Sequence, residues 1–428
     1  MIISRVVRTS RAGRLILAEA VSLLAASGCI PSRLHDVGAF DDDHIAPPLV
    51  RVRLGAEGQK FTVQSDRRYI VRTFAPGKST DTFSTEGPIN LTLSKNRIRV
   101  RGEKNVTLAS DLTGVSITAT DSTQRLRLGK ASYYGALFIG FGPDRKAIVT
   151  NRLSLDAYLR GVIAPEMGER APEEIEAVKA QAVAARTYAL AHLGQYEQTP
   201  YDLEADVSDQ VYEGASQPRA WVDQAVAATA GEVLSYGTQL IDAYYHSTCG
   251  GRTDNIEDVW PKAARPFLVS VDDDTFCQWS KYSTWSETFD KKALLRNLRA
   301  YRHQLKPPPI ADFKAVTDIT LEGETPGGRI RTMVVTTPKG KWTINSDQIR
   351  WALGRPSRPG SILPSDRFTV ELKRDRHKNI TGALITGSGY GHGVGMCQCG
   401  MIGRARAGQP YRDILTHYYT GVQIQRVY

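Results

Sequence analysis

Hydrophobic and polar positions change rhythm three times along the chain. From Leu49 to about Arg152 they alternate in short runs. Val50-Arg51-Val52-Arg53-Leu54, Ile98-Arg99-Val100-Arg101 and Leu126-Arg127-Leu128 each place apolar residues two apart with arginines between them. A period of two marks strands with one wet face, and Gly, Asn, Asp and Pro separate the runs. Residues 49–152 therefore read as a β-rich N-terminal unit. Near Leu155 the texture changes, and Pro172 opens a helical pattern. Glu173, Glu174 and Glu176 occupy its first turn, where the helix dipole favours negative charge. Ile175, Val178, Ala182, Ala185 and Ala189 recur at three- and four-residue steps, and so much alanine lets a neighbour approach closely. A second helix is expected over 220–230, closed by Gly231, with strand-like runs at 232–234 and 240–245. After the break Lys306-Pro307-Pro308-Pro309, strands are expected at 318–321, 332–336 and 368–372. A glycine-dense loop follows over 387–400, then short helices near 402–406 and 411–419. The fold class is α+β: a β-rich N-terminal unit, a helical segment, and a β-rich C-terminal part with a glycine-rich loop. No internal repeat is visible.

Composition sharpens the picture only in places. With 41% hydrophobic and 23% charged residues, the 428-residue chain is ordinary globular material with room for two or three packed units. The net charge of +10 includes four arginines against one acid before Cys29. The remaining excess suits an acidic polymer, or equally a solvated surface. No tight Lys/Arg run with interleaved aromatics occurs, which argues against nucleic acid. The N-terminus pairs the basic stretch Arg5–Arg14 with an apolar run from Leu15 to Ala26 that is too short to span a bilayer. Ala26-Ser27-Gly28-Cys29 then resembles the lipobox of bacterial lipoproteins. Residues 1–29 are accordingly read as a lipoprotein-type signal peptide with Cys29 as the lipidated residue. Residues 30–48, with Asp41-Asp42-Asp43 and Pro47-Pro48, are read as a linker. The expected location is outside the cytoplasm, on a membrane, facing the cell wall or periplasm.

Three clusters carry candidate chemistry. In Tyr158-Leu159-Arg160-Gly161-Val162-Ile163-Ala164-Pro165-Glu166-Met167, Glu166 follows a proline and is expected on a constrained loop before a helix. Partial desolvation there would keep its carboxyl protonated, as a general acid requires; alone, such a Glu is more often a cap or a surface residue. Tyr245-His246-Ser247-Thr248-Cys249-Gly250-Gly251-Arg252-Thr253 invites a nucleophile reading, against the plainer one of a hydrogen-bonded turn. Gly387–Gly400 holds six glycines in fourteen residues around His392. No Gly-Lys-Ser/Thr follows, so it is not a phosphate loop.

Together these words resemble the SpoIID/LytB family. They are Tyr158–Val162, Pro165-Glu166-Met167, Val178–Tyr188, Asp209-Gln210-Val211-Tyr212-Glu213-Gly214, His246–Thr253, Gly391–Met396, and Tyr411, Ile414-Leu415, His417-Tyr418-Tyr419 and Gly421, in family order over residues 50–428. The resemblance makes residues 153–428 the catalytic region. It implies a lytic transglycosylase that cleaves between N-acetylmuramic acid and N-acetylglucosamine in peptidoglycan, on glycan strands stripped of stem peptides, with Glu166 as catalytic acid. It also implies an alternative, a non-catalytic glycan binder that enhances a cell-wall amidase; a hydrolysing muramidase is a third reading. Arg186, Tyr188, Gln210, Tyr212, His246, Ser247, Thr248 and His392 match family words and are the candidates for lining the glycan groove. Some relatives carry Cys and His just before the Gln-Val-Tyr word. Here that stretch is Leu203–Asp209, so that metal site is expected to be missing and no cofactor is required. Cys249, Cys277, Cys397 and Cys399 remain after Cys29. Zinc through these with His246 or His392, and disulfides with Cys249–Cys277 the favoured bridge, both stay open.

Overall fold

Alternation in the N-terminal unit becomes two sheets, antiparallel except for one short edge strand. The computed structural model describes residues 46–428 except Glu57, residues 197–198 and residues 216–218, so the expected signal peptide with Cys29 and residues 30–45 of the expected linker lie outside the described residues. The seven-stranded sheet runs in the order 203–204, 49–54, 147–154, 136–141, 114–119, 69–74, 81–85; a six-stranded sheet holds 131–133, 126–128, 60–64, 89–94, 97–101 and 107–112. Val50 and Val52 point inward and are fully buried, as are Ile98, Val100 and Leu126. The arginines between them face outward. Arg51 and Arg53 then pair with Asp202 (2.5 Å) and Glu204 (2.9 Å), which fixes the short parallel strand 203–204 against the sheet edge.

Eight α-helices follow among the described residues: α1 (Leu155–Met167), α2 (Ile175–Ala191), α3 (Ala220–Ala228), the single turn α4 (Ile256–Val259), α5 (Lys291–Gln304), α6 (Gln348–Leu353), α7 (Gln398–Arg406) and α8 (Tyr411–Tyr418). Ser154 caps α1, its hydroxyl accepting from Ala157 N. The alanine-rich α2 is buried on nearly all sides and packs against α1, α3, α7 and α8. Small side chains make that crowding possible. Strand 423–426 pairs with 232–236 and brings the C-terminal segment back to α2.

One apolar core runs from the β unit through α1–α3 to α7 and α8, while a second, separate core gathers Phe289, Leu294, Leu298, Phe313, Met333, Trp342 and Ile385. Residues 285–387 thus form a unit of their own: two three-stranded sheets, 285–290/380–387/368–374 and 318–324/330–337/340–345, with α5 and α6. The segments that flank it meet where Gly389 N donates to Tyr282 O at 2.8 Å. Arg329 joins this unit to the first core. Fully buried, its guanidinium bonds Asp254 and lies 3.1 Å from Asp366. Burial outweighs that cation at Asp366 and pushes its carboxyl up to about 7. Gly393 (φ +86°) permits the contact, since a Cβ there would stand 2.7 Å from Arg329 Nε.

Candidate active site around Glu166

Glu166 sits in the last turn of α1 and not, as expected, on a loop before a helix. Pro165 was the signal for a break, yet α1 runs through it. A proline in a helix frees the carbonyl four residues earlier, here that of Gly161. That carbonyl accepts from Glu213 N at 3.2 Å. Gly161 also has no side chain to keep the incoming segment away. A Cβ there would stand 2.6 Å from Gly214 O and 2.8 Å from Tyr212 Cδ2. The segment 209–214 therefore lies directly on α1, and Val211 N donates to Glu166 Oε1 at 3.0 Å. Gln398 Nε2, in the first turn of α7, reaches Glu166 Oε2 at 3.4 Å and Gln181 Oε1 at 3.4 Å.

The carboxyl is half-buried, and burial raises its pKa above the usual glutamate range even though both donors pull it down. Such a group holds its proton more tightly than a surface glutamate. After the proton leaves, the two N–H groups are in place to stabilise the carboxylate.

Behind Glu166 lies a fixed polar network. Tyr158 hydroxyl donates to Gln210 Oε1 (3.0 Å), and Gln210 Nε2 donates to Tyr245 hydroxyl (3.0 Å). Asp209 accepts from Tyr188 hydroxyl (2.9 Å), Gln195 Nε2 (2.8 Å) and Glu204 N (2.7 Å), which ties segment 209–214 to α2 and the β unit. Tyr212 donates to Asn151 at 2.6 Å.

Most of the groove candidates are placed as supports. Arg186 is fully buried; its guanidinium donates to Tyr428 hydroxyl (2.9 Å) and Glu232 O (3.2 Å) and pairs with Asp156 (3.3 Å). Tyr188, Gln210, Tyr212 and Thr248 are buried as well. His392 is held on both ring nitrogens: Val394 N donates to Nδ1 and Nε2 donates to Tyr245 O. Its neutral tautomer is thereby fixed, and burial pushes its pKa down to about 4. His246 is also kept neutral by burial; its Nδ1 meets Val394 O at 3.2 Å while Nε2 is buried with no partner among the described residues. Ser247, half-exposed, meets Thr248 at 3.3 Å and no imidazole, so no hydrolase triad is built there. Sequence reasoning missed Gln398, Gln181, Asp209 and Tyr245. Of these only Gln398 touches Glu166; Gln181 is reached through Gln398, and Tyr245 and Asp209 belong to the surrounding network.

A cavity of about 1170 Å³ opens on the face of the seven-stranded sheet beside α1 and α3; Glu166 does not line it. Arg51, Arg72, Arg125, Arg152, Arg160 and Arg219 do, with Tyr134 and Phe138. Asp202 and Asp223 take the charges of Arg51 and Arg160. The Arg125 guanidinium lies 5.6 Å from the Tyr134 ring centre.

Comparison with known proteins bears on what such a site belongs to. A family profile described as stage II sporulation protein, SpoIID, matches residues 144–236, the stretch holding α1, α2 and segment 209–214. Stage II sporulation protein D of Bacillus subtilis is 34% identical over 288 residues, 64% of this chain and 74% of that protein. The chain belongs to the SpoIID family. This SpoIID-family chain is also 34% identical over 304 residues to a Brachyspira hyodysenteriae protein described as uncharacterized, covering 69% of the chain and 73% of that protein. It is 31% identical over 302 residues to the amidase enhancer of B. subtilis, 62% of the chain and 40% of that protein. A second profile, a domain of unknown function, matches residues 276–395 and so spans the unit with its own core.

Proposed function

We propose that this chain is a peptidoglycan lytic transglycosylase with Glu166 as its acid and base. Membership of the SpoIID family supports a cell-wall role. The observation that carries the finer reading is Glu166 itself: a half-buried carboxyl with raised proton affinity and two N–H donors. Glu166 gives its proton to the oxygen linking N-acetylmuramic acid to N-acetylglucosamine, and that bond to C1 breaks. The carboxylate then takes the proton of the muramoyl 6-hydroxyl, whose oxygen closes on C1. The product is a 1,6-anhydro end, no water is consumed, and Glu166 ends protonated as it began. One carboxyl suffices because the nucleophile belongs to the substrate.

The arginine-lined cavity supports binding of an acidic glycan; peptidoglycan strands are the partner, with Cys29 as lipid anchor outside the cytoplasm. The similarity to an amidase enhancer keeps one other reading in play, a glycan binder that acts on an amidase. Incubation of the purified chain with denuded glycan strands, read by mass spectrometry, separates them. We expect anhydro ends, abolished in Glu166→Gln at unchanged folding. Reducing ends would make it a hydrolase, and intact strands would favour the enhancer.

A further inference from the structure

Cys249, Asp273, Cys277 and Cys397 come from three segments of the chain and are all buried. Each offers one ligand atom, and these atoms lie within 4.8 Å of one another. We propose that they form a closed Cys₃Asp zinc site that clamps the turn after Tyr245–His246, the loop 271–280 and the start of α7.

Spacing is the first argument. Zinc binds thiolate sulfur at about 2.3 Å in a tetrahedron, which sets sulfur–sulfur edges near 3.8 Å and slightly shorter sulfur–oxygen edges. Cys249 Sγ lies 3.5 Å from Cys277 Sγ and 3.1 Å from Asp273 Oδ2. A disulfide needs about 2.05 Å between sulfurs. The four cysteines of the described residues stand as free thiols, and a bridge between two would leave the third sulfur of this cluster unused.

The surroundings are the second argument. Cys249 N (3.2 Å) and Gly400 N (3.3 Å) both donate to Cys397 Sγ, and Gly251 N donates to Cys249 Sγ at 3.3 Å. Backbone N–H groups aimed at sulfur favour thiolates, the form a metal requires. Asp273 is oriented as a metal-bound carboxylate needs to be. Its Oδ1 accepts from Tyr418 hydroxyl at 2.5 Å and lies 3.5 Å from Arg404 Nε, which turns Oδ2 toward the sulfurs. Four protein ligands leave no open position, so the metal is structural. Cys399, His246 and His392 stand outside the set, and Asp273 was not among the sequence candidates. Cys397 caps α7, and its neighbour Gln398 is the side chain that reaches Glu166. The site stands whether or not the chain cleaves glycan.

The test uses the full chain carrying Cys29→Ser, purified without chelator. Elemental analysis should find one zinc per chain. Denatured with chelator and no reductant, the same sample should show four thiols by DTNB. Two thiols without zinc would mean a disulfide and overturn the proposal, as would four thiols with no zinc bound or taken up. Cys277→Ser and Asp273→Asn should each lose most of the zinc, and Cys399→Ser should keep it; the reverse pattern overturns the ligand set. Should the ligand variants not fold, cobalt replacement in the unaltered site decides. Sulfur-to-cobalt charge transfer with strong tetrahedral ligand-field bands, unchanged by Cys399→Ser, is expected, and an octahedral spectrum refutes it.

Discussion

Replacing Gly161 by alanine sets two rules against each other. Helix propensity alone says that Gly→Ala inside a helix gains about 1 kcal/mol, and Gly161 lies inside α1. The packing says otherwise. The new Cβ would stand 2.6 Å from Gly214 O, against the 3.4 Å at which ordinary contact begins, so segment 209–214 must retreat. Retreat stretches the bond from Glu213 N to Gly161 O (3.2 Å) and the one from Val211 N to Glu166 (3.0 Å). A neutral hydrogen bond contributes roughly 1 kcal/mol and one to a charged group roughly 1.5–3 kcal/mol, while overpacking costs about 1–3 kcal/mol. The helix gain cannot offset these, and a net loss of about 2.5–6 kcal/mol is expected if both bonds are lost. Urea unfolding at neutral pH measures it. Glycan cleavage, assayed well below the unfolding transition, should fall further than the folded fraction does, because Glu166 loses a donor. A variant as stable as the parent, or more so, would refute the claim that Gly161 is there for close approach.

Three other outcomes follow from the same geometry. Because burial raises the Glu166 pKa, the folded state binds its proton more tightly than the unfolded state, and that contribution to stability is lost as pH rises through the folded value. Glu166→Gln should therefore gain on the parent in melting temperature as pH rises and lose ground as pH falls; a difference that moves the opposite way with pH, read by calorimetry, would contradict this. Arg329→Met leaves Asp254 and Asp366 buried without their cation and should cost roughly 3–5 kcal/mol in denaturant unfolding, and a loss under 1 kcal/mol would show the link to be dispensable. Arg72→Glu with Arg152→Glu, in the cavity on the sheet face, should weaken co-sedimentation with glycan strands by about tenfold or more at low salt and less at high salt; unchanged binding would remove the cavity from the function.

What the sequence disclosed depended on the range over which each signal acts. Alternation in 49–54 and 98–101 and the alanine spacing in 175–191 are local, and the strands and helix stand there as expected. Helix α5 went unread, since its apolar residues Leu294 and Leu298 serve a second core that no short window announces. Pro165 was misread because a proline near a helix end and one that ends a helix look alike in one dimension; only the carbonyl it frees, taken up by Glu213, tells them apart. Family words named Glu166 together with many other residues, and most of the others, Arg186 foremost, lie buried in the scaffold. Asp273 carried no motif at all and becomes visible only beside the three sulfurs.

Gln398 meets a glutamate 232 positions before it in the chain, and the whole unit with its own core intervenes. Ribosomal synthesis delivers residues in order, so α1 and the β unit emerge long before that partner does. A nascent or prematurely stopped chain ending before residue 398 holds Glu166 without its second donor. The full donor set at this carboxyl therefore exists only once the chain through residue 398 has been made and folded.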